Sequence, residues 1–353
     1  MTSHLLPLLV ILGAAAGAPV ALAETPKSGA HGLRLPATFT GTLPCADCPG
    51  IDHHLDLWPD GQGYALRRSY QERDLVVDEM GRWHVDPARN ALILEGSGGA
   101  VSQWQITANE ALRLLDQDGQ PIESELPYEL AAGALEPTGL ALPLSGMLVY
   151  FADAAVLTEC LTGQSFPVMM EAEFPALQRA YLEERPAPGV PLLMRIDAEI
   201  AMREQMEGPD RRSITVTRFH HATPDAGCPD HREPPDLVNV YWGLTLLDGA
   251  SVPETAGRRE PYLLFQDGEG LRFAATVGCN MMMGGVERDG DILRFGNVAT
   301  TMMACPPGLD TLEASFARAL DAARSHDLDG ETLRLLDEDW VEVARFRARY
   351  IRY

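Results

Sequence analysis

Short segments in which apolar and polar residues alternate fill the sequence between residues 33 and 130. In one of them His53, Leu55 and Leu57 share one parity, and Pro59-Asp60-Gly61 follows as a turn. Strict alternation indicates half-buried strands, and Pro, Asp and Gly are typical turn residues. Comparable segments follow at residues 82–85, 91–94, 101–106 and 112–115. This regular spacing of strands and turns predicts a small antiparallel barrel or sandwich.

Two stretches without periodicity divide the rest of the chain. Residues 131–143 and 222–236 are rich in Pro, Gly, Ala or charged residues, as linkers and long surface loops are. A chain of 353 residues also exceeds what one hydrophobic core usually accommodates. We therefore expect three domains, at residues 33–130, 141–221 and 237–353.

The first 23 residues have the character of a secretory signal. A short apolar run is followed by small residues that end in Ala21-Leu22-Ala23, which predicts cleavage before Glu24. Neither this run nor any later segment is apolar for long enough to span a bilayer. The first cysteine is Cys45, whereas a lipoprotein carries a cysteine at the cleavage point. We expect a soluble periplasmic or secreted protein with no membrane span and no lipid anchor.

Acidic residues outnumber basic ones by 51 to 28, which gives a net charge of -23. A surface of this sign repels nucleic acid and anionic membranes, so neither is expected as a partner. The charge suits a soluble protein or one that attracts cations. An oxidising compartment also favours disulfides, and the chain has six cysteines.

Cys45 and Cys48 form a C-x-x-C motif near the start of the first domain. This spacing is used by zinc sites, by copper(I) sites, by disulfide exchange and by structural disulfides, so the spacing alone leaves all four open. His53 and His54 follow within a strand, where neighbours point to opposite faces. At most one of them joins the two sulfurs, and we take His53 as the candidate third metal ligand.

The residues around this motif resemble a known family. The segment 39–51, the Leu57-Trp58-Pro59-Asp60-Gly61 hairpin, Gly81-Arg82-Trp83 and Leu115-Asp116-Gln117-Asp118-Gly119 are similar to the N-terminal domain of NlpE proteins. These are envelope proteins of copper resistance and stress sensing. The resemblance implies a small lipocalin-like β-barrel, and it links the C-x-x-C motif to copper and to sensing of the envelope state.

The middle domain combines strands with one helix. A helical spacing of apolar residues is present at Phe174, Leu177, Tyr181 and Leu182. One helix among about five strands fits an OB-like barrel. The segment Thr158-Glu159-Cys160-Leu161-Thr162-Gly163 resembles the module that follows the first domain in NlpE-like proteins. Cys160, near the start of this module, and Cys228, just after it, are natural disulfide partners.

The last domain contains a second predicted helix, with Leu312, Phe316 and Leu320 on one face and with Asp310 and Glu313 as its N-terminal cap. Its motifs resemble the META domain, also called HslJ-like, at Tyr241-Trp242-Gly243-Leu244, Gly278-Cys279-Asn280 and residues 300–306. That resemblance implies an antiparallel sheet with one helix, in secreted or envelope proteins linked to heat-shock or antibiotic tolerance.

The META resemblance also implies a structural disulfide, because Cys279 and Cys305 fall at positions where many members have cysteines. An alternative uses the thioethers of residues 281–283 and 302–303, which suit copper(I). Strand alternation weakens it, since Met281 and Met283 share a face that Met282 does not.

Motifs of common enzymes are absent from the sequence: there is no G-x-S-x-G, no H-E-x-x-H and no P-loop. We predict a mainly β, multi-domain, non-enzymatic envelope protein that contributes to copper or envelope-stress tolerance. Cys45, Cys48 and His53 are the candidate metal ligands, copper(I) is the candidate ion, and envelope proteins are candidate partners. Two alternatives stay open. One is an interaction scaffold whose cysteines, including Cys45 and Cys48, are all in disulfides, and the other is a thiol oxidoreductase.

Overall fold

The computed structural model describes residues 28–97, 99–204, 209–229, 234–252 and 259–352. The proposed signal segment, residues 1–23, lies outside them. Within the described residues the protein has three β-sheets and two α-helices, so the predicted mainly β, multi-domain fold class is confirmed. Neither helix has the length and apolar character that crossing a bilayer requires.

The first sheet is a closed antiparallel barrel of eight strands. Its strands are β1 (Ala37–Leu43), β2 (Ile51–Leu57), β3 (Gly63–Tyr70), β4 (Leu75–Asp86), β5 (Ala91–Gly96), β6 (Val101–Ile106), β7 (Leu112–Leu114) and β8 (Glu129–Gly133). Pairing of β1 with β8, at Thr38 opposite Gly133, closes the ring. The inward side chains of Phe39, Trp83 and Trp104 are buried and fill the interior. The alternation seen in the sequence therefore produces a barrel with a packed core.

The second sheet has five strands, in the order β11-β10-β9-β12-β13. The elements are β9 (Leu140–Phe151), β10 (Ala154–Glu159), β11 (Ser165–Pro167), α1 (Phe174–Glu184), β12 (Leu192–Arg203) and β13 (Arg211–Thr223). A parallel bridge between Val168 and Ile214 joins the end of β11 to β13, as expected of an OB-like barrel. Helix α1 buries Phe174, Leu177 and Tyr181. Leu182, expected on the same face, is 45% exposed because Ala180 takes the fourth buried position.

The third sheet closes a second ring, because β14 pairs with both β16 and β23. Its elements are β14 (Tyr241–Leu247), β15 (Ala250–Ser251), β16 (Tyr262–Gln266), β17 (Arg272–Thr276), β18 (Met281–Asp289), β19 (Ile292–Phe295), β20 (Ala299–Thr300), α2 (Leu309–Ala322), β21 (Ser325–Asp329), β22 (Thr332–Leu336) and β23 (Glu342–Arg349). Phe316 and Leu320 of α2 are buried in the core of this domain. The predicted antiparallel sheet with one helix is confirmed.

The first and third domains share a buried interface. Residues 28–36 precede β1 and lie between them, with Leu33 buried against both. The rings of Trp83 and Tyr350 stack with centroids 5.4 Å apart, and the Val85 amide donates to the Tyr350 carbonyl at 3.1 Å. Because β4 runs from Leu75, next to the β1–β2 loop, toward Asp86, this interface lies at the barrel end far from that loop.

The first and second domains meet on the outer face of β2, β3 and β4. Asp56 is buried there, and it accepts hydrogen bonds from the Thr38 hydroxyl at 2.6 Å and from the Thr138 amide at 2.8 Å. The Arg212 guanidinium lies 4.2 Å from the centre of the Trp58 ring. Asp56 and Trp58 lie at the end of β2 opposite to the β1–β2 loop, so both contacts are away from that loop.

Candidate functional site

The C-x-x-C motif lies in the loop that joins β1 to β2. The two strands separate after Leu43, which is opposite Ile51, and the residues between them form the loop. Cys45 and Cys48 are joined by a disulfide, and their Cα atoms are 5.2 Å apart. Both cysteines are half-buried. The motif therefore sits at the barrel end far from the third domain, which we call the free end, and both of its cysteines are partly exposed among the described residues.

Asp47 lies beside the two sulfurs. An oxygen of its carboxylate and the Sγ atoms of Cys45 and Cys48 all lie within 4.8 Å of one another. The Asp47 side chain is 72% exposed, and its carboxylate forms an ion pair with Arg73. In the disulfide the sulfurs carry no thiolate, and thiolate is the metal-binding form of cysteine. A two-electron reduction must therefore come before any metal binding at this loop.

The turn between β3 and β4 holds the loop from one side. Arg73 Nη2 lies 2.6 Å from the Asp47 carbonyl oxygen and 2.8 Å from the carboxylate oxygen Oδ2 of the same residue. The backbone amide of Gln71 donates to the Gly50 carbonyl at 3.0 Å. The turn thus contacts both halves of the C-x-x-C loop, one on each side of Cys48.

His53 belongs to a different environment. It lies on the same side of β2 as Leu55, and its ring meets the Trp104 ring edge-on at a centroid distance of 6.3 Å. Its Nδ1 donates to the Ile51 carbonyl at 2.9 Å. Burial lowers the pKa of His53 below the usual 6.5, which favours the neutral ring. His53 is not a member of the cluster formed by Cys45, Asp47 and Cys48 among the described residues.

His54 points the other way, as alternation along a strand requires. Its Nε2 lies 2.9 Å from the Glu136 carbonyl and 3.2 Å from Asp56 Oδ1, toward the linker. The two histidines therefore lie on opposite faces of β2, as the alternation predicts, whereas Asp47 was not among the predicted site residues. A carboxylate between the two cysteines of the motif was the signal available for it.

The other four cysteines form two further disulfides. Cys160 is joined to Cys228, across 68 positions of the chain, and Cys279 is joined to Cys305, with Cα atoms 5.8 Å apart. These are the pairs expected from the sequence. The Cys160–Cys228 bond attaches the segment after β13 to the second domain. A disulfide that closes a long loop also stabilises the folded protein, because it restricts the unfolded chain.

A carboxylate also lies near the Cys279–Cys305 disulfide, but it is already engaged. Glu313 accepts hydrogen bonds from the backbone amide of Asn280 at 2.7 Å and from its side-chain amide at 2.9 Å. The prediction that Asp310 and Glu313 cap α2 is wrong, because the N-cap residue is Gly308 and no side chain caps the helix. Glu313 instead accepts two hydrogen bonds from Asn280, so its carboxylate is not available to the first turn of α2.

The methionines near that disulfide occupy three environments. Met282 is 1% exposed in the core, Met281 packs against the first-domain core, and Met302 is 97% exposed. Thioethers placed in a core, an interface and solvent do not act together on one ion. The alternative copper site therefore gains no support from the positions of these three residues.

Three family models match consecutive parts of the chain. They are described as the NlpE N-terminal domain, residues 39–125, the NlpE C-terminal OB domain, residues 139–229, and the META domain, residues 235–350. Lipoprotein NlpE of Escherichia coli K12 is 32% identical over 223 residues, which are 62% of this chain and 83% of that protein. The chain belongs to the NlpE family. In this NlpE-family protein the META domain follows the two NlpE modules.

The crystal structure of the Cpx pathway activator NlpE from Escherichia coli is also similar, at 31% identity. The match covers 56% of this chain and 100% of that one, with a TM-score of 0.26. The NlpE relative is named a lipoprotein, which does not support the expectation of a chain without a lipid anchor. That expectation stays a prediction, since residues 1–27 lie outside the described ones.

Proposed function

We propose that this NlpE-family protein is a non-enzymatic envelope protein that contributes to copper or envelope-stress tolerance through its C-x-x-C loop. The proposal is carried by one observation: two cysteine sulfurs and the Asp47 carboxylate are gathered within 4.8 Å at the free end of the first barrel. After reduction, two thiolates at this spacing suit copper(I), a soft ion. Membership in the NlpE family, which is linked to copper resistance and stress sensing, supports this role.

Copper(I) binding by the reduced full-length mature chain tests the proposal. We expect the chain to compete with a chromophoric copper(I) chelator under anaerobic conditions. The variant Cys45→Ser/Cys48→Ser should bind at least about tenfold more weakly, a loss of about 1.4 kcal/mol. Equal competition by the variant and the unaltered chain would rule out a copper site at this loop.

Two matched variants identify the remaining ligands. His53→Ala should leave copper(I) affinity unchanged if His53 stays against Trp104, and should weaken it if His53 joins the two thiolates, as the sequence suggested. Met302→Leu/Met303→Leu removes two exposed thioethers and keeps all six cysteines. We expect no effect from this second variant.

A specific observation favours a second candidate function, that of an interaction scaffold. All six cysteines are paired, and the described residues include no free cysteine. Mass spectrometry of the unreduced protein from its own compartment separates the two functions. Free thiols at Cys45 and Cys48 favour the copper or sensing role, and a complete disulfide under copper stress favours the scaffold.

The third possibility, a thiol oxidoreductase, has less support. Such enzymes usually place the reactive cysteine at a helix N-terminus, which lowers its pKa, whereas Cys45 lies in a loop between two antiparallel strands. We expect insulin reduction by this protein to proceed no faster than with free dithiol. Turnover above that rate would argue for an enzyme.

The place of the protein in the envelope is part of the proposal. We expect a mature chain that begins at Glu24 and carries no lipid. The intact mass of protein recovered from soluble and membrane fractions measures both properties. A lipid adduct, or an N-terminus elsewhere, would contradict this expectation and would bring the chain closer to the lipoprotein it resembles.

A further inference from the structure

The C-x-x-C loop is held by a turn that is distant in sequence. Arg73, between β3 and β4, donates to the Asp47 carbonyl at 2.6 Å and forms an ion pair with the Asp47 carboxylate at 2.8 Å. On the other side of Cys48, the backbone amide of Gln71 donates to the Gly50 carbonyl. The two cysteines therefore belong to a loop whose backbone is fixed at Asp47 and at Gly50.

We propose that Arg73 is a positioning residue that holds the C-x-x-C loop in the conformation that closes the Cys45–Cys48 ring, and so makes this disulfide harder for a thiol reductant to open. This inference deepens the proposed function and rests on it in one respect, that the loop must be reduced before it binds copper. The reductant is a monothiol of the glutathione class. Two reductant molecules supply two electrons and two protons, which convert the disulfide to the thiols of Cys45 and Cys48. The two reductant molecules are joined to each other in a disulfide.

The physical reason is conformational entropy. A reduced loop regains freedom, and the cost of ordering it again opposes ring closure. Arg73 lowers that cost because its guanidinium binds Asp47 in both redox states, which keeps the two sulfurs near each other. The ion pair alone would contribute little, since the Arg73 side chain is 39% exposed. The hydrogen bond to the Asp47 carbonyl adds a direct restraint on the backbone, and the Nη2 atom of Arg73 forms both contacts at once.

The experiment measures the redox equilibrium of this disulfide in the full mature chain. Protein is equilibrated in mixtures of reduced and oxidised glutathione, the thiols are trapped with an alkylating agent, and peptides containing Cys45 and Cys48 are quantified by mass spectrometry. For Arg73→Ala we expect the equilibrium to move toward the dithiol by about fivefold, because the released loop regains freedom that ring closure must remove. Arg73→Lys, which keeps the charge on a shorter side chain, should fall between the two.

Two controls keep the result specific to the loop. Arg89→Ala removes an arginine that is about equally exposed, paired with Asp86 at 2.6 Å near the opposite end of the barrel, and should not move the equilibrium. The Cys279–Cys305 disulfide, followed in the same samples, should respond identically in Arg73→Ala and in the unaltered chain. An unchanged Cys45–Cys48 equilibrium in Arg73→Ala would overturn the proposal, as would an equal shift in both disulfides.

Failure of this inference is distinguishable from failure of the proposed function. If Arg73→Ala shifts the redox equilibrium but the reduced chain does not bind copper(I), the positioning role stands and the copper site is lost. If the reduced chain binds copper(I) and the equilibrium does not shift, the copper site stands and Arg73 has no positioning role.

Discussion

His31 is buried between the first and third domains. The residue is 4% exposed, and its Nδ1 accepts a hydrogen bond from the Leu33 amide at 3.1 Å, while Nε2 has no hydrogen-bond partner among the residues that the structure describes. The ring meets those of Tyr350 and Trp83 edge-on, at 4.4 Å and 5.6 Å. Burial, together with the charge of Arg259, lowers the pKa of His31 to about 3. The neutral ring is therefore part of the interface at pH 7.

This burial predicts a loss of stability in acid. Because the pKa of His31 is lower in the folded protein than in the unfolded chain, the unfolded chain binds the proton first. The contribution of the neutral ring is complete above pH 6.5 and is lost as the pH falls toward 3. Within this range the free energy of unfolding changes by at most about 1.4 kcal/mol per pH unit. Urea unfolding at pH 7.5 and at pH 4.5 measures it.

The variant His31→Phe should reduce this difference in the free energy of unfolding between the two pH values, whatever its stability at pH 7.5. His221→Phe, at an exposed position of β13, is the matched control and should keep the dependence of the unaltered chain. If His31→Phe and the unaltered chain lose stability equally between pH 7.5 and 4.5, His31 is not the group responsible.

At the scale of elements, the start of α2 illustrates what spacing can and cannot predict. The periodicity of Phe316 and Leu320 identified the helix, because a buried helix face is a local pattern. The same spacing gave a wrong cap. Glu313 binds Asn280, which is 33 positions away, and a competitor at that distance leaves no trace in local spacing. Asn280 also accepts hydrogen bonds through Oδ1 from the amide of Met303 and the hydroxyl of Thr301, so it fixes the segment before α2.

Asn280→Ala should therefore destabilise the third domain by about 3 kcal/mol, because several partly buried hydrogen bonds lose a partner at once. Asp310→Ala is the matched control. It removes a carboxylate from the first turn of α2, where its interaction with the helix dipole is worth less than about 1 kcal/mol. Denaturant unfolding of both variants checks the difference. A larger loss in Asp310→Ala would restore the cap predicted from the sequence.

For the whole molecule, the mainly β, multi-domain fold could be predicted from the sequence, but the packing of its parts could not. Alternation, linker composition and family motifs are local signals, and they indicated the fold class. The interface between the first and third domains joins residues 28–36, Trp83 and Tyr350, which are scattered along the chain. Nothing in the composition of those segments marks them as mutual partners. The Arg73 contact with the C-x-x-C loop was missed for the same reason.

Gln62 gives this interface a polar anchor. Its buried side-chain amide donates to the Trp83 carbonyl at 2.6 Å and to the Ile351 carbonyl at 2.9 Å, so a single group joins the two domains. Gln62→Ala leaves both carbonyls without this donor and should destabilise the docked pair by about 2 kcal/mol. Arg352→Ala removes an exposed ion pair to Glu95 across the same interface and should cost less than about 1 kcal/mol.

Calorimetry of the full chain tests whether the first and third domains unfold as one unit. Because their interface is buried and joined by backbone as well as side-chain hydrogen bonds, we expect one shared transition in the unaltered protein, shifted to lower temperature by Gln62→Ala. Limited proteolysis should then release the third domain sooner from this variant than from Arg352→Ala. Separate transitions for the two domains, neither of them sensitive to Gln62→Ala, would mean that each domain folds without the other.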